Sequence, residues 1–108
     1  MGIPITFDKR VNQWEGHQID AQGFWHRSDV APGSAWWARG VDGEIACLRF
    51  ACPCGCGSIG TCPVRPGFGG STWQWDGNEA SPTLAPSIQK LSGCRWHGYL
   101  TNGQFLAC

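Results

Sequence analysis

The chain has 108 residues, with eight basic and eight acidic side chains and no net charge. That length carries one domain, 1–108, and a charge balance of zero argues against the basic stripe of a nucleic-acid binder. No apolar run approaches the ~18 residues of a membrane span, and residues 1–8 lack the basic and apolar regions of an export signal. A cytoplasmic protein with neither a nucleic-acid nor a membrane partner is therefore expected.

In chain order, residues 1–34 are polar and irregular, with His17 and His26 isolated. A short helix is possible only in residues 8–20. Ala31-Pro32-Gly33-Ser34 reads as a turn, and Ala35–Arg39 as a strand in which Trp36 and Trp37 point to opposite faces, leaving one exposed. Asp42-Gly43 marks a hairpin turn. Glu44–Ala51 alternates as the next strand and delivers the chain into Cys52-Pro53-Cys54-Gly55-Cys56-Gly57. Ser58–Val64 returns as a strand, and Pro63 places it at a sheet edge. After the turn at Arg65–Gly70, Ser71–Asp76 carries Trp73 and Trp75 on one face. Pro82 and Pro86 exclude a helix from 82–88 and leave an extended segment with a bend. Trp96–Leu100 and Gln104–Ala107 close a hairpin around Asn102-Gly103. The expected fold is mainly β: a small zinc-stabilised antiparallel sheet, or an open barrel or sandwich of short hairpins, with at most one short helix.

The seven cysteines cannot all pair, because the number is odd. Three thiols within five residues are too close in sequence for relaxed disulfides, and convergence on one cation is the easier solution. Cys94 and His97, three residues apart, supply a second chelating element. Two of Cys52, Cys54 and Cys56 with Cys94 and His97 would make a tetrahedral Cys₃His zinc site; all three thiols with His97 would make another, and the spacing does not choose. Pro53 stiffens the loop and the glycines let it turn. Iron–sulfur ligation of the mixed kind fits poorly, because the first element has no histidine. Cys47, Cys62 and Cys108 read as small buried hydrophobes.

Other residues are candidates to support or cover that site. Trp73, Trp75 and Asp76 suit either an aromatic cage or core and turn duty. Thr83 and Ser87 are placed to hydrogen-bond a metal-bound thiolate or the second nitrogen of His97.

The strings Leu48–Gly57, Trp73–Asn78, Pro82–Ile88 and Cys94–Gly103, in this order, resemble a family of small bacterial and phage proteins catalogued as domain-of-unknown-function family 6527, whose members sometimes carry the label ammonia monooxygenase. The resemblance covers residues 45–108, the metal-binding core, and leaves 1–44 as a variable N-terminal part. It implies a compact Cys/His metal-binding domain encoded in phage or prophage and supplies no catalytic residues. The expected function is that of a zinc-stabilised accessory protein acting by binding a host protein. The alternatives are a zinc hydrolase with an open metal position and Asp76 or Glu79 as base, and a thiol-based redox or metal sensor.

Overall fold

The computed structural model describes residues 2–13, 15–19, 25–66, 72–89 and 96–108. Cys94, Ser71 and most of the Arg65–Gly70 turn lie outside the described residues. The strands in chain order are β1 (Ile3–Pro4), β2 (Thr6–Phe7), β3 (Gln18–Ile19), β4 (Trp25–His26), β5 (Ser34–Arg39), β6 (Ile45–Ala51), β7 (Ile59–Pro63), β8 (Gln74–Trp75), β9 (Leu84–Gln89), β10 (His97–Thr101) and β11 (Gln104–Ala107). Among the described residues the helix expected in 8–20 is a single 3-10 turn, Lys9–Asn12, opened by the Asp8 carboxylate accepting from the Arg10 N–H at 3.0 Å.

The strands form two main sheets and a small hairpin. One sheet has the order β1-β11-β10-β9-β8, the other β2-β5-β6-β7, and β3 pairs with β4. The two larger sheets face each other. Alternate side chains of β5, β6 and β7 (Ala35, Trp37, Leu48, Phe50, Cys62) meet Leu84, Ile88, Leu100 and Phe105 from the opposite sheet in one core. Phe50 and Phe105 lie 5.3 Å apart between ring centroids, and Trp37 and Trp75 4.6 Å. Trp73 and Trp75 pack at the margin of this core, the share of the fold that a short chain must draw from large side chains.

Turn chemistry explains the connections. Asn102 and Gly103 both have positive φ (48° and 74°), as a two-residue hairpin of this hand requires. Gly43 at φ 82° closes the β5–β6 turn. Pro63 ends β7 on the outer edge of its sheet, where a missing N–H is harmless. The pairing is not wholly antiparallel: β1 and β2 are separated only by Ile5, so one extended run crosses from β11 in the first sheet to β5 in the second and pairs with β5 in parallel. On the outer side of β6, Val11, Ala51 and Ile59 form a second cluster with Trp25 and Val30. The N-terminal residues thus cover a face that the hairpins leave bare. Of the adjacent tryptophans, Trp37 is buried and Trp36 exposed. No helix among the described residues is long and apolar enough to cross a membrane.

Candidate functional site

The β6–β7 hairpin holds the three thiols at its tip. The Cys52 N–H donates to the Ser58 carbonyl at 2.9 Å, and the Gly55 N–H reaches back to the Cys52 carbonyl at 3.0 Å. Gly55 and Gly57 take positive φ, 89° and 85°. At Gly57 a side chain would also strike the His26 ring and approach the Arg27 carbonyl to 3.0 Å. The loop therefore curls, and the Sγ atoms of Cys52, Cys54 and Cys56 all lie within 4.8 Å of one another. Cys52 and Cys54 are 3.3 Å apart, too far for a disulfide. Two sulfurs on a tetrahedral zinc stand about 3.8 Å apart, given a bond of ~2.3 Å, a spacing inside the 4.8 Å limit of this group. Three neighbouring cysteines can thus hold a metal ion. Cys52 is buried, Cys56 half-buried and Cys54 exposed.

The loop is also tied to β4. His26 Nε2 makes a 2.9 Å hydrogen bond with the Cys56 carbonyl, and the Arg27 N–H donates to the Gly57 carbonyl at 2.8 Å. Beside it lies a cavity of about 90 Å³ whose lining includes Arg27, Pro32, Cys52 and Cys56. His26, isolated in the sequence, supports the thiol loop from the neighbouring strand. The missing signal was the distance of 30 residues between the partners.

His97 does not join this group among the described residues. It opens β10 on the solvent side, and its Nε2 lies 3.0 Å from Ser87 Oγ. The register explains the contact. His97 faces Gln89, Gly98 faces Ile88, and the next pair is Leu100 with Leu84. Three residues of β9, Ala85-Pro86-Ser87, thus stand against Tyr99 alone. This bulge is held by Leu84 and Ile88, both buried in the core, and Ser87 lies on the solvent side, diagonal to His97 across the ladder. Trp96 holds the other partner, packing edge-on against Phe105 with centroids 6.0 Å apart. The Cys108 N–H donates to the His97 carbonyl at 2.9 Å. A hydroxyl within hydrogen-bond reach of an imidazole is the arrangement by which a serine is activated as a nucleophile. Among the described residues no carboxylate is hydrogen-bonded to His97, so the pair stands as a dyad.

The remaining candidates do other work. Asp76 Oδ1 accepts from the Asn78 and Thr83 N–H groups, fixing a turn. Thr83 Oγ1 accepts from the Asn102 N–H and ties β9 to the last hairpin. Trp75 Nε1 donates to the Asn78 carbonyl, and Trp73 packs against the core. None of the four belongs to the thiol group, and Glu79 faces Arg39 at 3.7 Å. Cys47 and Cys62 are buried, whereas Cys108 is exposed. The Cys47 thiol is pushed up from its ordinary pKa by burial, against the opposing pull of Arg49.

The model of the BubE family, the bacterial ubiquitination-like system serine protease, matches residues 23–108. The chain belongs to that family. No curated protein and no solved structure matches it significantly. Membership in BubE corrects three expectations. The family that matches is this one and not domain-of-unknown-function family 6527. A phage accessory protein acting through zinc and protein binding gives way to a family named for serine chemistry, and the hydrolase alternative was nearer but placed the reaction on zinc. The physical cause of the error is plain. Cysteine spacing is a local signal, whereas Ser87 and His97 meet only through strand pairing.

Proposed function

We propose that this chain is a serine protease in which Ser87 is the nucleophile and His97 the general base, acting on an acyl bond made or processed by a bacterial ubiquitination-like system. The 3.0 Å contact between Ser87 Oγ and His97 Nε2 on the open face of the sheet carries the reading, and the BubE match supports it. Ser87 Oγ attacks the substrate carbonyl while Nε2 takes its proton. The tetrahedral adduct collapses as the imidazolium returns that proton to the leaving amine, which leaves an ester on Ser87. Water, deprotonated by the same nitrogen, adds to the ester; as that adduct collapses the imidazolium returns the proton to the departing Ser87 Oγ, which frees the acid and restores the serine.

A fluorophosphonate probe tests this without a known substrate. It should add once, at Ser87 by peptide mapping, and Ser87→Ala and His97→Ala should each slow or abolish labelling by at least about a thousand-fold. Unchanged labelling in Ser87→Ala, or labelling mapped to another serine, would sink the assignment.

For the three thiols we propose zinc in a structural role. The donor set favours it, since soft thiolates suit zinc and sulfur-rich sites are closed and structural. Cys52, Cys54 and Cys56 would hold the ion, with Cys94 the proposed fourth ligand, and His97 is left to Ser87. The ion supplies a cross-link. Elemental analysis of the purified chain should give one zinc per molecule.

A further inference from the structure

A groove of about 370 Å³, lined by Phe7, Trp36, Trp37, Arg39, Glu79 and Ala80, runs along the part of β5 that β2 leaves uncovered. β2 reaches only Ser34 and Ala35. The Thr6 N–H donates to the Gly33 carbonyl at 3.2 Å and the Asp8 N–H to the Ala35 carbonyl at 2.9 Å, after which the chain turns off into Lys9–Asn12. Main-chain groups along a strand alternate sides. Ala35 faces this edge, so Trp37 faces it too, while Trp36 and Ala38 face β6. Among the described residues, the Trp37 main-chain N–H and carbonyl have no hydrogen-bond partner. An unpaired strand edge is a template for a further strand.

The walls narrow the choice of occupant. Phe7 and Trp36, 38% and 37% exposed, offer an apolar shelf on one side. On the other stands the Glu79–Ala80 segment, pinned by the Trp37 Nε1 hydrogen bond to the Glu79 carbonyl at 3.0 Å. Arg39 and Glu79 balance each other at the rim, 3.7 Å apart. A neutral groove with unpaired amide groups fits a peptide main chain better than an anion.

We propose that this groove docks an extended peptide segment of a protein partner, which adds to β5 as a strand in line with β2 and seats one apolar side chain between Phe7 and Trp36. The proposal does not depend on Ser87 chemistry.

The test selects heptapeptides from a random displayed library on purified Ser87→Ala chain, so that no bound peptide is cut. The enriched sequence is then synthesised and its binding followed by fluorescence anisotropy. Trp36→Ala, and separately Phe7→Ala, should weaken binding about ten-fold, as should N-methylation of the one peptide amide that donates to the Trp37 carbonyl. Peptide should also slow hydrogen exchange at the Trp37 amide. Failure to enrich any sequence overturns the proposal. So does a peptide indifferent to N-methylation and to both variants, or a concentration-dependent dimer that protects Trp37 on its own. Fluorophosphonate labelling of the wild-type chain reports separately on Ser87, so the two readings fail independently.

Discussion

Gly98→Ala puts one methyl group next to the dyad without touching it. Gly98 is buried in β10 between His97 and Tyr99. A Cβ built there meets the Leu106 carbonyl oxygen and comes within 2.7 Å of two Trp96 ring carbons. The carbonyl belongs to the β10–β11 ladder and cannot swing aside, so β10 itself must shift against β11 and the indole with it. That indole is the edge-on partner of Phe105, and it directly precedes His97. Overpacking of this kind costs about 1–3 kcal/mol, and in a domain of about 100 residues each kcal/mol lowers Tm by about 4–8 °C. The expected fall in Tm is therefore about 4–24 °C. The shift also carries the imidazole away from Ser87, and a displacement near 1 Å can reduce the rate about a hundred-fold. Differential scanning fluorimetry and the fluorophosphonate labelling rate, measured well below Tm, report the two effects separately. Gly43→Ala is the control: nothing lies within 4 Å of its Cβ position, so only its positive φ is penalised. If Gly98→Ala keeps both the Tm and the labelling rate of the wild type, the packing argument for His97 is wrong.

Cys52→Ser, Cys54→Ser and Cys56→Ser should each lower Tm and zinc content well beyond Cys47→Ser, because metal binding is folding energy on the order of ten kcal/mol in small domains; elemental analysis beside melting curves checks this. A chelator should lower Tm yet leave the labelling rate of the folded fraction unchanged, since no step runs through the metal. Loss of labelling at a temperature where circular dichroism shows an intact fold would contradict the division of roles. Buried Cys47, its thiol kept protonated by burial, should alkylate with iodoacetamide far more slowly than exposed Cys108, as peptide mapping over time can follow. Asp42, held by hydrogen bonds from Arg65 at 2.8 and 2.9 Å, has a pKa lowered to about 2. A depressed carboxylate adds stability above its ordinary pKa of about 3.9, and that contribution is lost as pH falls toward 2. For so exposed a pair the contribution is slight; the carboxyl carbon-13 titration of Asp42 should move back toward the ordinary midpoint in Arg65→Gln.

The hairpins were legible because their signals are local. Asp42-Gly43 and Asn102-Gly103 name their own turns, Pro63 marks an edge, and β6 alternates cleanly enough to bury Leu48 and Phe50 on the inner face. The paired sheets followed from many short strands and few helical periods. What the sequence concealed is non-local. Thr6 and Phe7 carry no strand signal of their own, and their parallel pairing with β5 exists only because Ile5 carries the chain from one sheet to the other. The second core under Val11 is likewise invisible, since Ala51 and Ile59 read from sequence as ordinary strand residues.

The candidate site divides along the same line. Three thiols within five residues announce themselves in any reading of the chain, and their convergence was expected. The Ser87–His97 contact was also within reach, since a hydrogen bond between Ser87 and a nitrogen of His97 follows from placing both on neighbouring strands. Its role could not be read, because the same two residues serve equally as a metal ligand with its support or as a nucleophile with its base. In the structure the imidazole Nε2 lies against the Ser87 hydroxyl, and among the described residues His97 stands apart from the thiol group. The register sets the contact. His97 faces Gln89 and Gly98 faces Ile88, so Ser87 lies on the solvent side of β9, diagonal to His97 across the ladder. The surplus of residues 85–87 falls beyond that contact, and pairing resumes only where buried Leu84 meets Leu100. The proline-spiked stretch that hides a strand signal in 82–88 thus leaves undisturbed the end of β9 on which Ser87 meets His97.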